Sequence, residues 1–148
     1  MRMIIAALDF SDANAPVIKA TTKLAKALDE SVYLVHVIEP EPTYAAYGLT
    51  PDEFPIAQEI HEETRHRSKQ KLTKIAAQME LANVKIKVLH GQPLNAILDY
   101  AHKSDADTLV LDSHGHGFLS SLLLGSVAEG CVRESKIPFL IVPVKRDT

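Results

Sequence analysis

Only one cysteine, Cys131, occurs in the 148 residues. No internal disulfide can form, so packing alone must hold the fold, as suits a reducing cytosol. No stretch is basic enough to follow a phosphate backbone, and the formal net charge is −3. That excludes the electrostatic footprint of a DNA- or RNA-binding domain. No apolar run approaches the ~20 residues needed to cross a bilayer. The chain runs from Met1-Arg2 into a short apolar stretch with no signal-peptide pattern behind it, so a cytoplasmic location is expected. Two nucleotide signatures are missing as well. There is no G-x-x-x-x-G-K-[ST], which excludes a P-loop NTPase. The turn after the first apolar run lacks G-x-G-x-x-G, which argues against a dinucleotide-binding domain.

What remains is an ordinary globular composition, 46% hydrophobic and 24% charged, with no internal repeat or low-complexity tract. That length supports one well-filled core, so residues 1–148 are expected to form one domain. Strand and helix patterns alternate along it. Met3 to Leu8 is a short apolar run closed by Asp9-Phe10-Ser11-Asp12. Val17, Ala20, Leu24 and Leu28 follow at helical spacing, then a valine-rich strand from Val32 to Ile38. Four of the eight prolines fall between Pro40 and Pro55 and mark an irregular connection. A charged helix is expected over 56–81, with Leu72, Ile75, Ala76 and Met79 as its apolar positions. Val84, Ile86 and Val88 alternate with lysines, so that strand has one less buried face. Leu94, Ile97, Leu98 and Ala101 form a helical stripe, with Pro93 where a first turn accepts it. A fourth strand (Leu109, Val110, Leu111), a short helix near Val127 to Glu134 and a fifth strand, Phe139 to Val142, complete the series. Five strands separated by helix-length segments imply parallel pairing through right-handed crossovers, hence an open α/β sheet covered on both faces. Ligands of such sheets lie beyond the carboxyl ends of the strands, where the strand order reverses. Asp9 and Asp112 both sit at such ends.

The run LVLDSHGHGFLSSLLLGSVAEG, from Leu109 to Gly130, carries the chemistry. A strand that passes through Gly115, Gly117 and Gly125-Ser126 into a helix presents backbone N–H groups and a helix dipole to an anion, most often a phosphate. Other readings of the same residues stand beside this one. Ser126 with Glu129 is a capping box, S-V-A-E, that satisfies helix-end donors without a ligand. Gly115 and Gly117 also suit plain loops, and Asp9 beside Ser11 and Asp12 suits a turn or a cap. Asp112, His114 and His116 alternate like metal ligands, but a loop triplet without a fourth ligand is a poor metal frame. Ser113 beside His114 is no triad, for adjacent residues do not align an Oγ with an imidazole. His61 and His66 are expected to be solvated, and Cys131 to be a small buried hydrophobe. No lysine or arginine lies between His114 and Val132, so nothing there neutralises a transferring phosphoryl group. No catalytic residue is expected. Any ATP hydrolysis or autophosphorylation would be slow and incidental.

These motifs together resemble the universal stress protein family. The likeness rests on the LDFSD turn, LVHVIEP, HGQPLNAILDYA, Gly115 followed nine residues on by Gly125-Ser126, and the closing PFLIVPV strand, and it covers nearly the whole chain. The family's glycine motif begins three residues before Gly115, where this chain has Asp112. The resemblance implies a five-stranded parallel Rossmann-like sheet of order 3-2-1-4-5, and a bound adenine nucleotide, ATP or AMP, with or without Mg or Mn on its phosphates. It places Asp9 against the adenosine part, Val37 and Leu111 around the base, and Gly115, Gly125, Ser126 and Val127, with Asp112 beside them, at ribose and phosphates, and it counts Ala7 among the nucleotide-binding residues. It also implies a homodimer. The last strand (Phe139, Leu140, Ile141, Val142) would lie at a sheet edge, and an apolar edge calls for pairing. A regulatory nucleotide-binding protein acting through an unidentified protein partner is thus expected. The alternatives are an interaction dimer without nucleotide and a weak ATPase or phosphotransfer enzyme.

Overall fold

The computed structural model describes residues 2–11, 14–39, 54–113 and 124–143. Within them β1 (Met3–Ala7), α1 (Asn14–Leu28), β2 (Ser31–Ile38), α2 (Phe54–Gln78) and β3 (Val84–His90) are followed by α3 (Pro93–Lys103), β4 (Thr108–Asp112), α4 (Ser126–Glu134) and β5 (Phe139–Val142). The strands form one sheet in the order β3-β2-β1-β4-β5, and every neighbouring pair runs parallel. This is the α/β architecture and the order that the resemblance implies.

Strand alternation divides the interior into two cores. Met3 and Ile5 of β1 and Leu109 and Leu111 of β4 pack with Ile97, Leu98 and Ala101 of α3 and with Ala128 and Cys131 of α4. Ile4, Ala6 and Val110 point the other way, onto Val17 and Ala25 of α1, Leu72 of α2 and Met79 just beyond it. The central strands are apolar on both faces because helices cover both, the usual state of a parallel sheet. At the edge, β3 sets Val84, Ile86 and Val88 against the second core while Lys85 and Lys87 are exposed, as its alternation implies. Charge on a sheet edge discourages pairing with another chain.

Several boundaries differ from the sequence pattern, each for a local reason. The buried stripe of α1 is Val17, Thr21 and Ala25, while Leu28 is 41% exposed. Thr21 tolerates burial because its hydroxyl donates to the Val17 carbonyl at 2.7 Å. Helix α2 stops at Gln78, where the Met79 N–H turns back to Ala76 O at 3.2 Å. Strand β4 extends through Asp112, which pairs with Val142, and the Ser113 N–H continues the ladder to Val142 O at 3.0 Å. His61 is half-buried, its ring 5.0 Å from that of His90, rather than fully solvated. Among the described residues no helix is long and apolar enough to cross a membrane.

Candidate functional site

The chain leaves β1 toward β2 on one side and returns through β4 on the other, so the strand order reverses between β1 and β4. Helices on opposite faces diverge there and open a crevice beyond the strand ends. A cavity of about 470 Å³ fills it. Ala7, Leu8 and Asp9 supply its β1 wall, His36, Val37 and Glu39 its β2 wall, and Leu111 and Asp112 its β4 wall. The first turns of two helices close its ends, with Gln92 and Pro93 at the start of α3 and Ser126 and Val127 at the start of α4.

Of the residues singled out in the sequence, Ala7, Asp9, Val37, Leu111, Asp112, Ser126 and Val127 thus line one cavity. Gly125 stands just behind it as the N-cap of α4, its N–H donating to Ser113 O at 2.9 Å. Gly115 lies outside the described residues, as do His114, His116 and Gly117. The capping-box reading of Ser126 does not hold. The helix begins at Ser126, with Gly125 as the cap and no side-chain cap bond. Glu129 turns instead to Arg133, 3.6 Å away. The first N–H groups of any helix lack partners within it, so the opening turn of α4 offers donors at the cavity wall. Helix α3 is closed differently. Gln92 Oε1 accepts from the Asn95 N–H at 2.8 Å, and Pro93 has no N–H to offer.

The turn after β1 shows how Asp9 is held. Asp9 Oδ1 accepts the Ser11 N–H at 3.0 Å and also the Ser11 hydroxyl, so the turn-residue reading of Asp9 is true together with its place in the cavity. Phe10 adopts a left-handed backbone, φ 61°, a conformation that costs energy in a non-glycine residue. Its ring stacks on His36 with centroids 4.0 Å apart, and Lys71 Nζ lies 5.1 Å from the same ring. His36 Nδ1 donates to the Leu8 carbonyl at 2.7 Å. Burial outweighs that bond and the nearby Asp9 carboxylate and holds the His36 pKa below its usual value. With Nδ1 as the donor, neutral His36 keeps Nε2 as an acceptor.

His36, Glu39 and Gln92 went unnoticed in the sequence. Their only signals were position: His36 adjoins Val37, Glu39 follows the last residue of β2 and Gln92 precedes Pro93. Asp9 and Asp112 are hard oxygen donors of the kind Mg or Mn takes, but no group of three or more ligating side chains occurs among the described residues. A metal would therefore depend on one or two carboxylates completed by the phosphate oxygens of a ligand.

The family model described as "Universal stress protein family" matches residues 1–143. A relative, Universal stress protein MJ0531 of Methanocaldococcus jannaschii, is 29% identical over 142 residues, which cover 95% of this chain and 81% of the relative. The solved structure of MJ0577, from the same organism, superposes with a TM-score of 0.81 at 28% identity, covering 99% of this chain and 98% of that one. A universal stress protein from Archaeoglobus fulgidus, solved in complex with dAMP, has the same fold at a TM-score of 0.63 and 23% identity, with 96% and 97% covered.

Proposed function

As the chain belongs to the universal stress protein family, we propose that it is a cytoplasmic regulatory protein that binds the adenosine part of an adenine nucleotide, ATP or AMP, between β1 and β4. One observation carries this reading. Val37 and Leu111, from strands on either side of β1, line the same cavity as Asp9 and the open first turn of α4. The base lies against Val37 and Leu111, Ala7 and Asp9 face the adenosine, and Gly125, Ser126 and Val127 hold the ribose and phosphate end. The dAMP complex of the Archaeoglobus protein supports a ligand of this class. Replacing Val37 with Gln sets an amide against the base without filling a closed core position. Adenosine titration by calorimetry should lose its heat while circular dichroism stays native. Unchanged affinity in that variant would move the base elsewhere.

The assembly reading is a two-fold homodimer in which Ile141 and Val142 of β5 pair antiparallel with a second copy. Two observations favour it. Among the described residues strand β5 is bonded on one side only, to β4, and Leu140 on that edge is 40% exposed. Multi-angle light scattering should give twice the 16.3 kDa chain mass. A monomer at micromolar concentration, the range of a weak interface, would rule this pairing out.

A further inference from the structure

Helices α1 and α2 pack on the face of the sheet opposite α3 and α4, and a groove of about 490 Å³ runs between them. Ile18 of α1, Ile75 of α2 and Met79 form its apolar floor, while the exposed Lys19, Lys23 and Lys26 stand along its α1 side. Lys26 meets Glu80 of the same groove at 3.8 Å. No ion pair among the described residues engages Lys19 or Lys23, so these two give the groove its charge. The complement occurs elsewhere on the same chain. Ile60 of α2 is 52% exposed, and Glu59 and Glu63 lie beside it on the helix surface. The two charged pairs have the same spacing. Lys19 and Lys23 are four residues apart, as are Glu59 and Glu63, which sets each pair about 6 Å apart along its helix. Glu63 is held by Arg67 at 2.8 Å. Both side chains are well exposed, and an exposed pair of this kind contributes little, so the carboxylate exchanges partners at small cost.

We propose that the groove between α1 and α2 receives a second copy of this chain. Ile60 of one molecule packs on Ile18, Ile75 and Met79 of the next, and its Glu59 and Glu63 meet Lys19 and Lys23 there. This is the helix-in-groove mode, an apolar anchor flanked by charge. The contact is head to tail. Ile60 and Gln78, which lines the groove, are 18 residues apart, five full turns at 3.6 residues each, so both halves of the contact lie on one flank of α2. A two-fold pairing that used both at once would set the middle of α2 against its own copy. Arg67 and Lys71, seven and eleven residues beyond Ile60, share that flank and would repel their counterparts. A head-to-tail contact avoids this and extends into chains.

The test is sedimentation equilibrium from micromolar to millimolar protein at low and at high salt. Salt screens exposed charges, so the species left at high salt, monomer or β5 pair, is the unit. At low salt the average mass should climb with concentration above that unit. Lys19→Glu with Lys23→Glu should abolish the climb, and so should Glu59→Lys with Glu63→Lys, while circular dichroism stays native in both. An equimolar mixture of these two variants should restore it, because intact and reversed surfaces each find their complement. Ile60→Ser changes no charge and should weaken the association about tenfold. A mass that depends on neither concentration nor salt would overturn the inference. So would a climb that survives either charge reversal, a mixture of the folded variants that stays as small as its parts, or full association of Ile60→Ser.

Discussion

Leu111 offers the sharpest test of the cavity, because one side chain serves the core and the site at once. It is 3% exposed, packs in the core beneath α3 and α4, and lines the cavity. Leu109, two residues earlier on the same face of β4, is fully buried in the same core and is not among the residues that line the cavity. Both lose three carbons on replacement by Ala. Leu109→Ala leaves a void enclosed by protein and should cost 2–5 kcal/mol, on the order of a buried Leu→Ala change. Leu111→Ala opens partly into existing space, so its cost should sit at the low end, about 2 kcal/mol. Binding reverses the ranking. Three carbons at ~0.8 kcal/mol each, half of them facing the ligand, come to about 1.2 kcal/mol, roughly an eightfold loss of affinity. Urea unfolding of both variants, with slopes unchanged, gives the stability terms. Adenosine calorimetry on each folded protein gives the binding terms. The reasoning fails if Leu111→Ala binds adenosine as the wild type does, or if Leu109→Ala, still folded, loses as much affinity.

Three further outcomes are expected. The folded pKa of His36 lies below the ordinary 6.5 through burial, so the unfolded chain takes up that proton first. Stability is then complete above about pH 6.5 and falls as the pH drops through the folded pKa. His36→Gln should flatten this fall between pH 7.5 and 5 without abolishing it, since His90 is shifted the same way. Identical urea midpoints against pH in both proteins would contradict the assignment. A Cβ on Gly130 would stand 2.2 Å from Leu94 Cδ2 and 2.8 Å from Cδ1. Overpacking of about 1–3 kcal/mol should outweigh the ~1 kcal/mol of helix propensity gained. Gly130→Ala should thus lower the Tm, and adding Leu94→Ala should offset part of that loss; a variant as stable as wild type would show that Leu94 swings aside freely. Burial, with Glu134 nearby, pushes the Cys131 thiol up to about 11. It should ignore a disulfide reagent in the native protein and react fully in urea; fast native labelling would show an opening of α4.

The succession of elements was legible in the sequence because hydrophobic spacing is a local property. Apolar runs of strand length, each separated from the next by a stretch of helical period or glycine-rich loop, admit little but a parallel sheet covered on both faces. The lysines of β3 announced its exposed face, and Cys131 its burial. Asp9 and Asp112 were found because a polar residue that halts an apolar run marks a strand end. The start of α4 was misjudged by one residue, since S-V-A-E satisfies the capping pattern wherever it occurs. Only the fold shows Gly125 as the cap and Glu129 engaged with Arg133.

By itself, then, the sequence determined the elements, their parallel arrangement and the strand ends that border the cavity. The tertiary structure alone decided which ends meet. His36, Glu39 and Gln92 share a cavity with Asp112 because β2 and β4 flank β1 and the N-termini of α3 and α4 open at the same rim. Strand order, a long-range property, sets that neighbourhood. The meeting of Asp9, Glu39 and Asp112 in its lining follows from the same cause, for each stands at a different strand end and nothing in its own stretch of sequence refers to the other two.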